Sequence, residues 1–116
     1  MRKAERQGGT EVAELSKAER KAGREKVNAY YERKQAELLQ PVVEAIDRYR
    51  RREIDVWEVD RIIHIYHRQS QELYSYVSSY SGGSSLPIIL RLIEAEEQGD
   101  EQWSWRPRTT LTADPS

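Results

Sequence analysis

The stretch from Asp55 to Ser79 constrains the fold most, because its apolar side chains recur at the spacing of one helix face. The apolar positions are Val56, Val59, Ile63, Tyr66, Leu73 and Val77. Residues three or four apart lie on one side of an α-helix, so the pattern predicts a helix over 55–79 whose apolar face needs a partner. Asp55 followed by Glu58 is a capping signal. The aspartate side chain accepts hydrogen bonds from the first amides of the helix, and the glutamate side chain can accept one from the aspartate amide.

A second helical pattern precedes this one, over residues 27–53. Its apolar positions are Val27, Tyr31, Leu38, Val42, Ala45 and Tyr49. Pro41 interrupts the pattern, and a proline inside a helix costs ~3 kcal/mol because it removes a hydrogen bond and clashes with the preceding turn. We therefore expect two helices that meet at Gln40, with Pro41 as the first residue of the second. A single helix kinked at Pro41 is the alternative.

The flanking segments complete an all-α prediction. Residues 1–26 are highly charged and hold few large apolar side chains, so we expect a charged helical arm, solvated or frayed, that adds little to the core. A Gly/Ser-rich linker over 78–85 leads to a short helix over 87–98, which begins near Pro87 and ends at Gly99. The sequence thus predicts a small bundle of three to four helices in residues 27–99, followed by an extended tail over 100–116.

Composition excludes several classes of protein. The net charge is only −1, so a bulk attraction to nucleic acid or to anionic membrane is not expected. The chain has no cysteine, which excludes disulfide scaffolds and thiol chemistry. The longest run without polar side chains, Leu86 to Leu90, is far below the ~18 residues that span a bilayer. The basic residues at the start are not followed by an apolar segment, so we expect a soluble, cytoplasmic protein without a secretory signal.

Two clusters of polar residues suggest sites. Asp60, His64 and His67 are spaced four and three residues apart on the central helix, and imidazole with carboxylate can bind zinc. The chain has only 2 histidines, so packing and hydrogen bonding are the preferred interpretation and we expect no cofactor. The second cluster consists of four arginines around Tyr49, namely Arg48, Arg50, Arg51 and Arg52. Guanidinium groups suit phosphate, but the acids that flank this cluster can neutralise its field within the protein.

Large apolar residues outside the main helix face are candidates for contact with a partner. Trp57, Ile65 and Tyr76 project from the central helix away from its apolar stripe, and Ile88, Trp103 and Trp105 follow in the C-terminal third. Either the last helix and the tail cover them, or they belong to a partner-facing surface. No established catalytic signature is present, so we expect no enzymatic activity.

Residues Glu53 to Arg68, with the sequence EIDVWEVDRIIHIYHR, resemble a pattern in short bacterial helical proteins that carry no assigned function. The resemblance implies a recurring helical unit in the cytoplasm and no residue roles. Our first hypothesis for function is a non-enzymatic module that binds a protein partner or a second copy. A nucleic-acid-associated factor that uses the arginine cluster is the alternative, and a metal protein centred on the histidines is the third hypothesis.

Overall fold

The computed structural model describes residues 15–80 and 85–112, and within them the chain is all-α, as predicted. Helix α1 spans Lys17–Arg50, α2 spans Val56–Tyr80 and α3 spans Leu86–Glu97. A short 3₁₀ helix, Glu101–Trp103, precedes a C-terminal segment without regular secondary structure over residues 104–112. Residues 1–14 of the predicted arm, residues 81–84 of the predicted linker and residues 113–116 of the predicted tail lie outside the described residues. None of the described helices combines the length and the apolar character that a bilayer crossing requires.

Helix α1 runs without interruption through Pro41, so the prediction of two helices that meet at Gln40 is wrong. Proline still removes one backbone hydrogen bond here. However, Val42 and Ala45 directly after it are buried, and Leu38 before it is half-buried. This burial on both sides of the proline stabilises the continuous helix, because tertiary packing supplies most of the stability of helices in proteins.

Side-chain caps fix the starts of α1 and α2. The Ser16 hydroxyl accepts from the Glu19 amide at 3.1 Å, while the Glu19 carboxylate accepts from the Ser16 amide at 2.8 Å, which is a reciprocal capping box. Asp55 accepts from the Glu58 amide at 2.9 Å, so the predicted cap of α2 is present. Glu58 does not complete a second capping box: its carboxylate pairs with Arg61 at 2.8 and 3.0 Å.

Helices α1 and α3 both end with a residue in the left-handed conformation. After α3 this residue is Gly99, with φ of 86°, as predicted for its C-terminal stop. After α1 it is Arg52, with φ of 63°. In each case the amide of the left-handed residue and the next amide along the chain donate to carbonyls in the last turn of the helix, for example Glu53 N–H to the Arg48 carbonyl at 2.8 Å. Glycine adopts this conformation without strain, whereas an arginine does not.

The chain forms two compact units, and α1 and α2 each contribute to both. The first unit contains residues up to 30 and residues 77–105. Its buried apolar residues are Val27, Tyr30, Val77, Leu86, Ile89 and Ile93. Gly23 is also buried: a Cβ atom at this position would lie 2.9 Å from Leu90 Cδ1 and 3.4 Å from Leu86 Cδ2. The prediction that residues before Val27 add little to the core is therefore wrong for Gly23, whose missing side chain lets α3 approach α1.

The second unit contains residues 31–76 and the C-terminal segment from Arg106. In it α1 and α2 pack antiparallel. Val42 and Ala45 of α1 cluster with Ile62 of α2 near the connecting turn, whereas Gln35, two turns earlier in α1, donates to Tyr66 and Ser70 at 2.7 Å each. The buried positions of α2 in this unit are Ile62, Ile65, Gln69 and Leu73.

Candidate interaction surface

The predicted partner-facing residues of the second unit occupy three different environments. Trp57 is 76% exposed, Tyr76 is half-buried and Ile65 is 0% exposed. The placement of Ile65 on an outer face was wrong. Arg61 and Gln69, one turn to either side of it, both hold the C-terminal segment, with Arg61 donating to the Leu111 carbonyl and Gln69 to the Thr109 carbonyl at 2.8 Å each. Ile65 therefore lies on the side of α2 that this segment occupies.

The remaining predicted residues belong to the first unit. Ile88 and Trp103 are exposed, whereas Trp105 is half-buried and its backbone amide donates to Glu96 at 2.9 Å. The same carboxylate accepts from the Tyr30 hydroxyl at 2.9 Å. Glu96 thus ties residue 105 to α3 and Tyr30 through side-chain hydrogen bonds, so the part of the predicted tail at Trp105 is docked within this unit.

Glu72 holds the C-terminal segment on α2. Its carboxylate accepts from the Arg108 amide at 2.6 Å, from the Thr109 hydroxyl at 2.6 Å and from the Thr109 amide at 3.3 Å. Partial burial by itself raises the pKa of this carboxyl, but the hydrogen bonds from Thr109 and Arg108 together lower it below its usual value. The ionised form of Glu72 is therefore the form that accepts these hydrogen bonds and holds the C-terminal segment on α2.

Four large aliphatic side chains on α1 and α2 stay exposed in the second unit. Leu39 and Val43 of α1 are 40% and 43% exposed, and Val56 and Ile63 of α2 are 54% and 40% exposed. Three half-buried apolar side chains lie along the same helix stripes, namely Ile46, Val59 and Tyr66. We call these seven residues the apolar face.

The two stripes of the apolar face lie on the same side of the α1–α2 pair. Tyr66 and Ile46 both pack on the cluster that joins the helices, and Gln35 bonds to Tyr66 from across the pair. On α1, Leu39 and Val43 share the stripe of Gln35 and Ile46, at intervals of three and four residues. On α2, Ile63 is three residues from Tyr66 and two residues from Arg61, so it points away from the side that holds the C-terminal segment. That segment therefore leaves the apolar face uncovered.

The predicted basic cluster is largely engaged with neighbouring acids. Arg51 Nε lies 2.8 Å from Glu53 Oε2, Arg48 Nε lies 3.5 Å from Glu53 Oε1, and Arg50 Nη1 lies 4.0 Å from Asp47 Oδ1. The hydrogen bond from Arg51 is the largest influence on Glu53 and lowers the pKa of its carboxyl. These contacts give the arginines a structural role at the end of α1. Binding of nucleic acid by Arg48, Arg50, Arg51 and Arg52 remains a prediction.

A surface depression of about 570 Å³ lies beside this turn. It is lined by Tyr49, Arg50, Arg52, Glu53, Ile54 and Asp55. Its lining carries both signs of charge, so its electrostatics favour neither an anionic nor a cationic ligand.

The histidine cluster does not form the three-ligand site that its spacing suggested. His64 Nε2 lies 3.6 Å from Asp60 Oδ1, and both side chains are largely exposed. His67 is also exposed, and within the part of the chain that the structure describes no three His, Asp or Glu side chains are placed to hold a metal ion. The metal hypothesis for Asp60, His64 and His67 is therefore not supported by their arrangement.

The apolar face was not predicted from the sequence: its α2 residues were assigned to the helix face that packs in the core, and its α1 stripe was not recognised. The signal was present in the spacing of Ala36, Leu39, Val43 and Ile46, which repeats at intervals of three and four residues. The core of this segment was instead predicted on the neighbouring stripe through Leu38, Val42 and Ala45. Pro41 was also expected to mark the boundary between two helices, which hid the continuous spacing.

Comparisons with protein-family models, with curated proteins and with solved structures found no match to this chain.

Proposed function

We propose that this protein is a non-enzymatic protein–protein interaction module that binds its partner through the apolar face. The observation that carries the proposal is the uncovered pair of aliphatic stripes on α1 and α2, with Leu39 and Val43 on one helix and Val56 and Ile63 on the other. A contiguous exposed apolar patch of this kind usually marks an interaction site.

The pattern of α2 supports the proposal. Its apolar positions cover a wider arc than the described part of the chain buries, because Ile62 and Ile65 are buried while Val56 and Ile63 remain exposed. Complete burial of a Val, Leu or Ile side chain stabilises by roughly 1.5–3 kcal/mol, so covering the exposed half of each contributes about 1 kcal/mol. Four such side chains can supply a useful part of a binding free energy when a partner covers them.

The experiment compares which proteins co-purify with the wild-type chain and with a variant whose apolar face carries charges. The double variant Val43→Lys/Ile63→Lys places two charges on the face. The matched control Glu44→Lys/His64→Lys places two lysines at the next positions along each helix, which are exposed and lie about 100° away around the helix. Circular dichroism establishes that both variants are folded.

We expect the wild-type chain and the control to retain the same protein partner, with a second copy of the chain counted as a partner, and the Val43→Lys/Ile63→Lys variant to lose it. Retention that is equal in all three proteins, or absent from all three, would contradict the proposal. The cytoplasmic location expected from the sequence remains a prediction.

A further inference from the structure

We infer that the occupant of the apolar face is a second copy of this chain, held so that α1 packs antiparallel against α1 of the partner subunit. The inference rests on the proposed function, because it identifies the partner of that same face. It is carried by the order of charges along one ridge of α1.

This ridge consists of Glu32, Ala36, Leu39, Val43, Ile46 and Arg50. The intervals alternate between four and three residues, which is the spacing of a seam in a helix–helix interface. The ridge is about 27 Å long, at about 1.5 Å per residue. It is acidic at its N-terminal end, apolar in the middle and basic at its C-terminal end.

The ridge is arranged symmetrically about Pro41. Leu39 and Val43 lie two residues to either side of it, and Glu32 and Arg50 lie nine residues to either side. In an antiparallel pair that crosses at this level, Glu32 faces the partner subunit's Arg50 at both ends, and the aliphatic side chains face each other between them. A parallel pair would instead bring Glu32 against Glu32 and Arg50 against Arg50, and such like-charge contacts are unfavourable. The charges thus select an antiparallel copy of the same helix.

Both terminal charges are available for this contact. Glu32 is exposed and forms no ion pair or side-chain hydrogen bond among the described residues. The Arg50 side chain is 75% exposed, and its contact with Asp47 Oδ1 is long, at 4.0 Å. Neither side chain must break a strong bond within its own chain before it reaches the partner.

An antiparallel pair of identical helices that crosses at Pro41 has a twofold axis at that level, and the α2 stripe fits this axis. Val42, next to Pro41, packs in one cluster with Ile62, so Ile63 lies at nearly the level of Pro41. An axis at this level brings Ile63 opposite the partner subunit's Ile63, while Val56 faces the partner subunit's Ser70, since each lies seven residues from Ile63. Two antiparallel seams, one on each helix, give the packing of a four-helix bundle.

Charge reversal tests the pairing of Glu32 with Arg50. Sedimentation equilibrium at low ionic strength measures the dimer dissociation constant of the wild-type chain, of Glu32→Arg, of Arg50→Glu and of the double variant. Each single reversal replaces two exposed ion pairs per dimer by like-charge contacts, so we expect dissociation constants about tenfold higher. The double variant restores opposite charges at both ends, and we expect it to return to within about threefold of the wild-type value.

A second measurement locates the axis. Because the chain has no cysteine, Ile63→Cys introduces a single thiol at the proposed twofold axis, and His64→Cys introduces one at the neighbouring exposed position. A short bis-maleimide reagent should join Ile63→Cys chains into covalent dimers several times faster than His64→Cys chains.

The inference is overturned if the wild-type chain stays monomeric at millimolar concentration, if the double charge variant binds itself as weakly as the single variants, or if both thiols crosslink equally. A monomeric chain that still loses a foreign partner in the Val43→Lys/Ile63→Lys variant would overturn self-association and leave the proposed function standing. A wild-type chain that is monomeric and retains no foreign partner would remove both.

Discussion

Glu72 and Thr109, which are 37 residues apart in the sequence, are joined by hydrogen bonds from both the backbone amide and the hydroxyl of the threonine. The hydroxyl contact is 2.6 Å long. Through this pair the C-terminal segment is fixed to one side of α2, and the other side is left to the apolar face. The segment thus lies on the side of α2 that carries Ile65 and leaves Ile63 exposed.

Removing the carboxylate should loosen the segment. Glu72→Ala removes the acceptor for the Arg108 amide and for both Thr109 groups, and hydrogen bonds to a charged, partly exposed group contribute about 1 kcal/mol. We expect the exchange rates of the Arg108 and Thr109 amides to rise about fivefold, as measured by hydrogen–deuterium exchange. Glu44→Ala, at an exposed position of α1, is the control and should leave them unchanged. Equal rates in Glu72→Ala and the wild type would mean that Glu72 does not hold the segment.

The same pair predicts a pH dependence. The folded-state pKa of Glu72 is lowered, so the unfolded chain binds more protons near its own pKa of about 4.3. The contribution of Glu72 is therefore complete above that pH and is lost as the pH falls through the lower folded-state pKa. The difference in thermal midpoint between the wild type and Glu72→Ala should be present at neutral pH and should shrink in acid. A difference that grows in acid would have the wrong sign for this explanation.

Arg52→Gly should stabilise the protein. An L-residue in the left-handed conformation costs roughly 1–2 kcal/mol relative to glycine, and the greater freedom of glycine in the unfolded chain offsets part of the gain. We expect a net increase of about 1 kcal/mol in the free energy of unfolding, measured in urea. Arg52→Ala removes the same charge but keeps a Cβ atom, so it should give no such increase. An equal gain from both variants would assign the effect to the charge and not to φ.

Substitutions at Gly23 test whether α3 packs closely on α1. Gly23→Ala adds about 1 kcal/mol of helix propensity but places a Cβ atom against Leu90, so we expect a free energy of unfolding close to that of the wild type. Gly23→Leu cannot fit and should destabilise by about 2 kcal/mol or more. Ala22→Leu, at the exposed neighbouring position, is the control and should be nearly neutral. If both substitutions at Gly23 stabilised the protein, this part of α1 would not pack on α3.

The sequence predicted the helices better than the side on which each is buried. Periodicity and the Asp55 cap located α2 to within a residue or two, and Pro87 with Gly99 located α3, because these signals are local. Which part of the wide apolar arc of α2 is buried depends on where α1 and residues 106–112 pack, and no local signal reports that. Ile65 was therefore misplaced, and Ile63 was assigned to the core.

Two other differences also have non-local causes. Pro41 was expected to end a helix, but packing of α1 on α2 maintains the helix through it. Residues before Val27 were expected to add little to the core, because the leucines that pack on Gly23 lie more than sixty residues later in the sequence. The apolar face was not predicted for the same reason, since it combines a stripe of α2 with a stripe of α1 that sequence alone does not bring together.

Site-specific photocrosslinking tests the central claim most directly, because it asks what touches the apolar face inside the cell. A benzophenone side chain at Val43 lies on the face, and the same group at Glu44 lies on a neighbouring exposed side of the same helix. We expect irradiation to join the Val43 variant to a protein, either a second copy or another chain, with several times the yield of the Glu44 variant. Equal yields at the two positions, or no protein adduct at Val43, would contradict it.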